Sequence, residues 1–170
     1  MATYYYKQMK ASMKPGNVIL GGWSFGGLLA LEVVNAITLD KNGGFKVIGV
    51  VLIDSGYPLV TNPKSTSLVE TFRNSLKNSL PRHTPKTALT SMDRSAKKVA
   101  EWKLSRWPQG YDKPPTVLIR ADKGLDIKYN LPLELGWEFC EHNVVDSVQI
   151  VPGNHFSIFE GGNIIYWKHY

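Results

Sequence analysis

A chain of 170 residues with 43% hydrophobic and 20% charged residues has the make-up of one globular domain, which excludes a disordered or fibrous polypeptide. Its net charge of +6 is spread along the chain rather than gathered into basic patches interleaved with aromatics; this argues against nucleic-acid binding and leaves a mildly basic surface suited to an acidic protein partner. No apolar run approaches the ~18 residues of a membrane span, no signal-peptide pattern opens the chain, and the one cysteine, Cys140, forbids an internal disulfide, so a reducing, cytoplasmic setting is expected.

Residues 2–13 carry Tyr5, Met9 and Met13 at a spacing of four, which predicts a helix closed by Lys14-Pro15-Gly16. Residues 18–20 form a short apolar run bounded by turn residues and predict a strand. Residues 25–39 are almost continuously apolar (Leu28, Leu29, Leu31, Val33, Val34, Ile37), too long for a strand, and predict a buried helix. After the Asn42-Gly43-Gly44 loop, residues 45–53 read as a strand apolar on both faces, the signature of a parallel sheet. Residues 61–113 lack a strong strand signal and are punctuated by prolines. Ser67 and Glu70 suit a capping box before a helix over 68–80, and a second helix is expected over 92–106. Strands follow at 116–121 and 148–151, with a helix expected between them over 132–141. Strands alternating with helices predict an α/β fold, a parallel sheet flanked by helices, with 61–113 as an insertion over one end of it.

Gly22-Trp23-Ser24-Phe25-Gly26 has the G-x-S-x-G pattern of a nucleophile elbow. The chemistry demands a serine on a sharp strand-to-helix turn, its Oγ raised above the sheet, with Gly22 and Gly26 letting strand and helix pass without Cβ clashes. The following helix aims its N-terminus at the site, so unpaired N–H groups there can meet a developing oxyanion, that of Phe25 first. The pentapeptide alone is a weak signal; the strand before it and the apolar helix after it supply the context such an elbow needs.

A triad in this arrangement runs serine, acid, histidine along the chain. His155, in Gly153-Asn154-His155-Phe156, directly follows a late strand, whereas His83 lies in the insertion, His142 closes the expected 132–141 helix and His169 is in the tail. Three carboxylates compete for the acid. Asp54 ends the 45–53 strand, Asp122 ends the 116–121 strand, and Asp126 stands four residues further on. All belong to the carboxyl edge of the sheet, where open α/β folds bind ligands. No metal-ligating constellation is visible. The indoles of Trp23, Trp102 and Trp107 could wall a pocket, although core packing is the commoner role for such residues.

Gly21-Gly22-Trp23-Ser24-Phe25-Gly26-Gly27, then Leu52-Ile53-Asp54-Ser55, then Gly153-Asn154-His155-Phe156, resembles the thioesterase (product-release) domain of fungal iterative polyketide synthases and, more broadly, type I thioesterases of non-ribosomal peptide synthetases. The resemblance spans residues 1 to about 158 with the motifs in family order. It implies the α/β-hydrolase fold. It implies Asp54 as the acid, since the family places that residue after the strand that follows the elbow helix; Asp122 is the alternative, as in stand-alone type II thioesterases. It implies that residues 61–113 are a helical lid.

The implied activity is release of an acyl or polyketide chain from the phosphopantetheine thioester of an acyl carrier protein, by hydrolysis or cyclisation, through acyl-Ser24. No bound cofactor is implied, and the carrier or upstream synthase domains would be the partners. Two other readings remain: a catalytically impaired hydrolase-like binding or assembly module, and a general esterase acting on a free small molecule. Family members carry several strands before the elbow, which here arrives at residue 24. Residues 1–170 are therefore expected to be an N-terminally incomplete hydrolase domain that lacks the early loop donating a second oxyanion N–H. Its elbow strand is expected to show an open edge, shielded by self-association or by a missing segment or partner.

Overall fold

The computed structural model describes residues 1–58, 85–124 and 132–161. The expected 68–80 helix, His83, Asp126, His169 and about half of the expected lid lie outside the described residues.

Helix α1 (Ala2–Ser12) leads into strand β1 (Gly16–Trp23), helix α2 (Phe25–Leu39), strand β2 (Phe45–Ile53), helix α3 (Lys86–Glu101), strand β3 (Thr116–Ala121), a short 3-10 turn (Trp137–Phe139) and strand β4 (Ser147–Val151). The strands form one parallel sheet in the order β1-β2-β3-β4. Among the described residues β1 pairs with β2 alone and forms one edge of the sheet. The β1–β2 register slips once, between Val18 and Ile19, leaving Ile48 as the extra residue of a bulge.

Burial follows the sequence pattern. Along α2, Leu28, Leu31, Val34 and Ile37 recur at helical spacing and are buried, joined by Ala30 and Val33. They pack on β1 and β2, and Val50, Leu52 and Leu118 complete the centre of the core. α1 packs against α2. Its Tyr6 is buried and donates to Asp40 Oδ2 at 3.2 Å, while Lys10 Nζ lies 2.8 Å from the same oxygen and 4.6 Å above the Tyr6 ring. The Lys10 ammonium, helped by the Tyr6 hydroxyl, holds the Asp40 carboxyl below its ordinary range, and desolvation opposes them. Between the starts of β3 and β4, Asp146 Oδ2 accepts from Lys113 Nζ at 2.6 Å and from the Thr116 N–H at 2.7 Å. Lys113 lowers the Asp146 pKa, with the Thr116 N–H adding to the effect. No helix among the described residues is long and apolar enough to cross a membrane.

Three expected elements differ. The elbow strand runs to Trp23 rather than stopping at residue 20, because Gly21, Gly22 and Trp23 stay paired with Val51, Leu52 and Ile53. The helix expected over 92–106 spans Lys86–Glu101: it starts after Pro85, where the missing proline donor costs nothing, and the chain leaves it at Trp102 in extended conformation. Trp102 Nε1 and Ser105 Oγ instead donate to the two oxygens of Glu32 on α2, at 3.0 and 2.9 Å.

The helix expected over 132–141 is absent. Leu135 (φ 52°) and Gly136 (φ 94°) take left-handed backbone that no helix tolerates, and turns plus Trp137–Phe139 fill the stretch. The compensation is tertiary: Leu135 and Trp137 are buried, the Leu135 carbonyl accepts from the Tyr57 N–H at 3.0 Å, and the Trp137 indole donates to the Ser55 carbonyl at 2.8 Å. Within 85–113, the described part of the expected lid, there is one helix and no strand.

Candidate active site

The site is built at the carboxyl ends of consecutive strands. Ser24, Asp54 and Asp122 each stand one residue past β1, β2 and β3, and each donates its backbone N–H to a carbonyl of the next strand: Ser24 to Ile53 at 2.9 Å, Asp54 to Ile119 at 2.7 Å and Asp122 to Val151 at 2.9 Å. The ladder thus continues one step beyond the sheet and sets each residue where the chain turns away. Asp54 is one strand from Ser24, and Asp122 is two.

Ser24 has φ 55° and ψ −124°, backbone that an L-residue holds only under constraint from its surroundings. Gly22 shows the source of that constraint, because a Cβ there would fall on the Gly26 carbonyl. Gly26 itself faces open space: a Cβ built there meets nothing within 4 Å. Of the two glycines expected to avoid a Cβ clash, Gly22 does so and Gly26 does not. The second tight position is Gly27, where a Cβ would strike the Ser55 side chain. Gly22→Ala and Gly27→Ala are therefore expected to destabilise the fold by about 1–3 kcal/mol or more through overpacking. Gly26→Ala should be neutral or gain up to ~1 kcal/mol from helix propensity. Urea denaturation midpoints of the three variants check this order.

His155 reaches the elbow on the loop after β4. Its Nε2 lies 3.0 Å from Ser24 Oγ and its Nδ1 2.7 Å from Asp54 Oδ2. The second oxygen of Asp54 accepts from the Ala121 N–H at 3.0 Å. Asp54 is 5% exposed and His155 2%. A carboxylate can only accept, so the ring proton sits on Nδ1 and Nε2 is left to accept from the Ser24 hydroxyl. Asp122 takes another place: it is exposed, and its Oδ1 accepts from the Gly153 N–H at 2.9 Å, bracing the histidine loop from outside. Phe25 is the first residue of α2, so its N–H has no partner within the helix and stands beside Ser24.

Several supporting residues were not singled out from sequence. Ser55 is fully buried; its Oγ lies 2.6 Å from the Ser24 carbonyl and 3.2 Å from that of Gly22, so it stitches the Asp54 segment to the elbow. Asn154 Oδ1 accepts from the N–H groups of Phe156 and Ser157, both at 2.9 Å, and Ser157 Oγ accepts in return from the Asn154 N–H. That reciprocal turn was legible as Asn-x-x-Ser. Ser55, touching residues more than thirty positions away, left no local signal. The His155 N–H donates to Gly124 at 3.0 Å.

A parallel sheet whose strand ends carry a strained serine elbow, a buried carboxylate and a late histidine defines an α/β-hydrolase. Solved structures agree on the fold: the NocB thioesterase domain in covalent complex with a fluorophosphonate nocardicin G analogue superposes with TM-score 0.68 at 23% identity, over 96% of this chain and 69% of that one. Residues 1–165 match the thioesterase-domain family, and the chain belongs to it. Among its relatives, thioesterase AMT4 of Alternaria alternata is 48% identical over 96% of this chain; the match covers 62% of AMT4, so the chain spans about three fifths of that relative's length. The nonribosomal peptide synthetase imqB of Aspergillus flavus is 28% identical over 96% of this chain, a region that makes up 6% of the synthetase.

Proposed function

We propose that this protein is a serine thioesterase that releases an acyl or polyketide chain from a carrier-protein thioester through an acyl-Ser24 intermediate. The observation that carries this reading is the hydrogen-bonded series Ser24 Oγ, His155 Nε2, His155 Nδ1 and Asp54 Oδ2, at 3.0 and 2.7 Å, on a strained elbow.

In the proposed reaction His155 Nε2 takes the Ser24 proton as Oγ bonds to the thioester carbon. The carbonyl oxygen becomes an oxyanion facing the Phe25 N–H at the start of α2. Asp54 keeps the ring in the required tautomer and stabilises the imidazolium. Collapse breaks the C–S bond, and the imidazolium returns its proton to the departing thiolate. Water, or a hydroxyl or enolic carbon of the chain itself, then attacks the acyl-enzyme with His155 again accepting the proton, and the imidazolium hands that proton to Oγ as the Oγ–C bond breaks, restoring Ser24 and His155. No resident cofactor is needed for these steps. The thiol leaving group is proposed to be the phosphopantetheine arm of an acyl carrier protein. A domain of this family set within a large synthetase, as the imqB match displays, supports upstream synthase domains as partners.

The test is a comparison of substrates carrying one acyl group on three leaving groups: a carrier protein's phosphopantetheine thiol, a small free thiol and a simple alcohol. The carrier-bound thioester is expected to exceed the oxygen ester in kcat/KM by about tenfold or more, which is ~1.4 kcal/mol of transition-state discrimination. Equal or greater activity on the free ester would favour a general esterase. Binding of the carrier without turnover would favour an assembly module.

A further inference from the structure

We propose that Trp23 is a positioning residue for the reaction, a clamp that ties the histidine loop to the nucleophile strand and keeps His155 Nε2 opposite Ser24 Oγ. The proposal rests on the triad reading above.

Trp23 is the last residue of β1 and immediately precedes Ser24; its backbone is fixed by pairing with Ile53. Its indole Nε1–H donates to the His155 carbonyl at 3.0 Å, across 132 positions of sequence. Its ring lies along the imidazole, with centroids 4.9 Å apart and planes inclined by 31°. Phe156 closes the group, edge-on to His155 at 5.1 Å and to Trp23 at 6.3 Å, and Phe159 meets the indole edge-on at 6.0 Å. One side chain therefore holds the catalytic loop twice, by its backbone and by its ring.

The other braces act from a different direction. Asp122, Lys123 and Gly124 bond Gly153 and His155, and so fix the loop to the end of β3. Trp23 fixes it to β1, the strand that carries the nucleophile, so the serine–histidine distance depends on it directly. Core filling does not account for the residue: Trp23 is 38% exposed, and an indole so placed could give its N–H to water. The ring has a further consequence. When Nε2 takes the Ser24 proton, the imidazolium forms within 6 Å of an indole centroid, where the aromatic face attracts a cation. An ~1 Å misplacement of reacting groups can cost on the order of 10²-fold in rate, so loss of the clamp should appear in the chemical step rather than in folding.

Trp23→Phe keeps an aromatic ring, though a smaller one, and removes the N–H; Trp23→Ala removes both. For each, the rate at which a small fluorophosphonate labels Ser24 is measured, alongside kcat and KM on an acyl thioester and the thermal midpoint. Labelling and kcat are expected to fall together, by about 3–10-fold in Trp23→Phe and on the order of 10²-fold in Trp23→Ala, with KM little changed. If Trp23→Ala does not fold, Trp23→Phe carries the test through its kcat and labelling rate at unchanged KM. Wild-type labelling rates in the variants, or a loss confined to KM, would overturn the clamp while leaving the triad in place. A wild-type protein that does not label at Ser24 overturns the triad reading and the clamp with it.

Discussion

Ser24→Ala is expected to lower acyl-transfer turnover by about 10⁶-fold, the scale at which removal of a triad nucleophile acts in other serine hydrolases. The substitution deletes the one atom that would form the acyl bond and leaves the rest standing. Ser24 is half-buried, its side chain caps no helix N–H, and its backbone is held by the Ile53 carbonyl and by Ser55 rather than by its own hydroxyl. Alanine must adopt the same φ of 55°, at a similar strain. The melting temperature should therefore stay close to wild type while turnover collapses. His155→Ala should lose a comparable factor, and the double variant hardly more than either, because nucleophile and base act as one unit. Turnover by Ser24→Ala within an order of magnitude of wild type would exclude a serine mechanism.

Asp54→Asn is expected to cost about 10⁴-fold in kcat, the magnitude seen when a triad acid becomes an amide elsewhere. The shape is nearly conserved: the amide oxygen can still accept from the Ala121 N–H that now bonds Oδ1 at 3.0 Å. The other end fails. An NH₂ group facing His155 Nδ1 makes that nitrogen the acceptor and moves the ring proton to Nε2, where it points at Ser24 Oγ and cannot take the serine proton. Asp122→Asn should change kcat by less than about tenfold, since its oxygen can still accept from the Gly153 N–H and it makes no bond to the ring. Steady-state kinetics of the two variants decides the matter. A large loss in Asp122→Asn with Asp54→Asn near wild type would transfer the role.

The helix Phe25–Leu39 and the strands Phe45–Ile53 and Thr116–Ala121 stand where hydrophobic periodicity puts them, because each buries residues at the spacing of its own geometry. The elbow was legible as a five-residue pattern, and His155 as the histidine after the last strand. The contest between Asp54 and Asp122 was not open to spacing alone, since both end a strand on the same edge; only the fold shows which is adjacent to Ser24 and His155. Residues 132–141 carry apolar side chains near helical spacing at Leu133, Trp137 and Cys140, yet Leu135 and Gly136 take positive φ in a stretch bonded to Ser55 and Tyr57, far away in the chain. Gly26 and Gly27 look alike in sequence, and Ser55 decides between them. The Trp23 indole's bond to His155 is equally invisible before folding, because it joins positions 132 residues apart.

The central claim is that the acyl group passes through Ser24. The most direct test mixes the protein with one equivalent of a carrier-bound acyl thioester, quenches in acid during the first turnover, and measures the mass of the intact protein and of its peptides. A covalent species heavier by the acyl group, mapped to Ser24 and absent from Ser24→Ala, is the predicted result. Released product with no adduct at any time point, or an adduct on another residue, would contradict it.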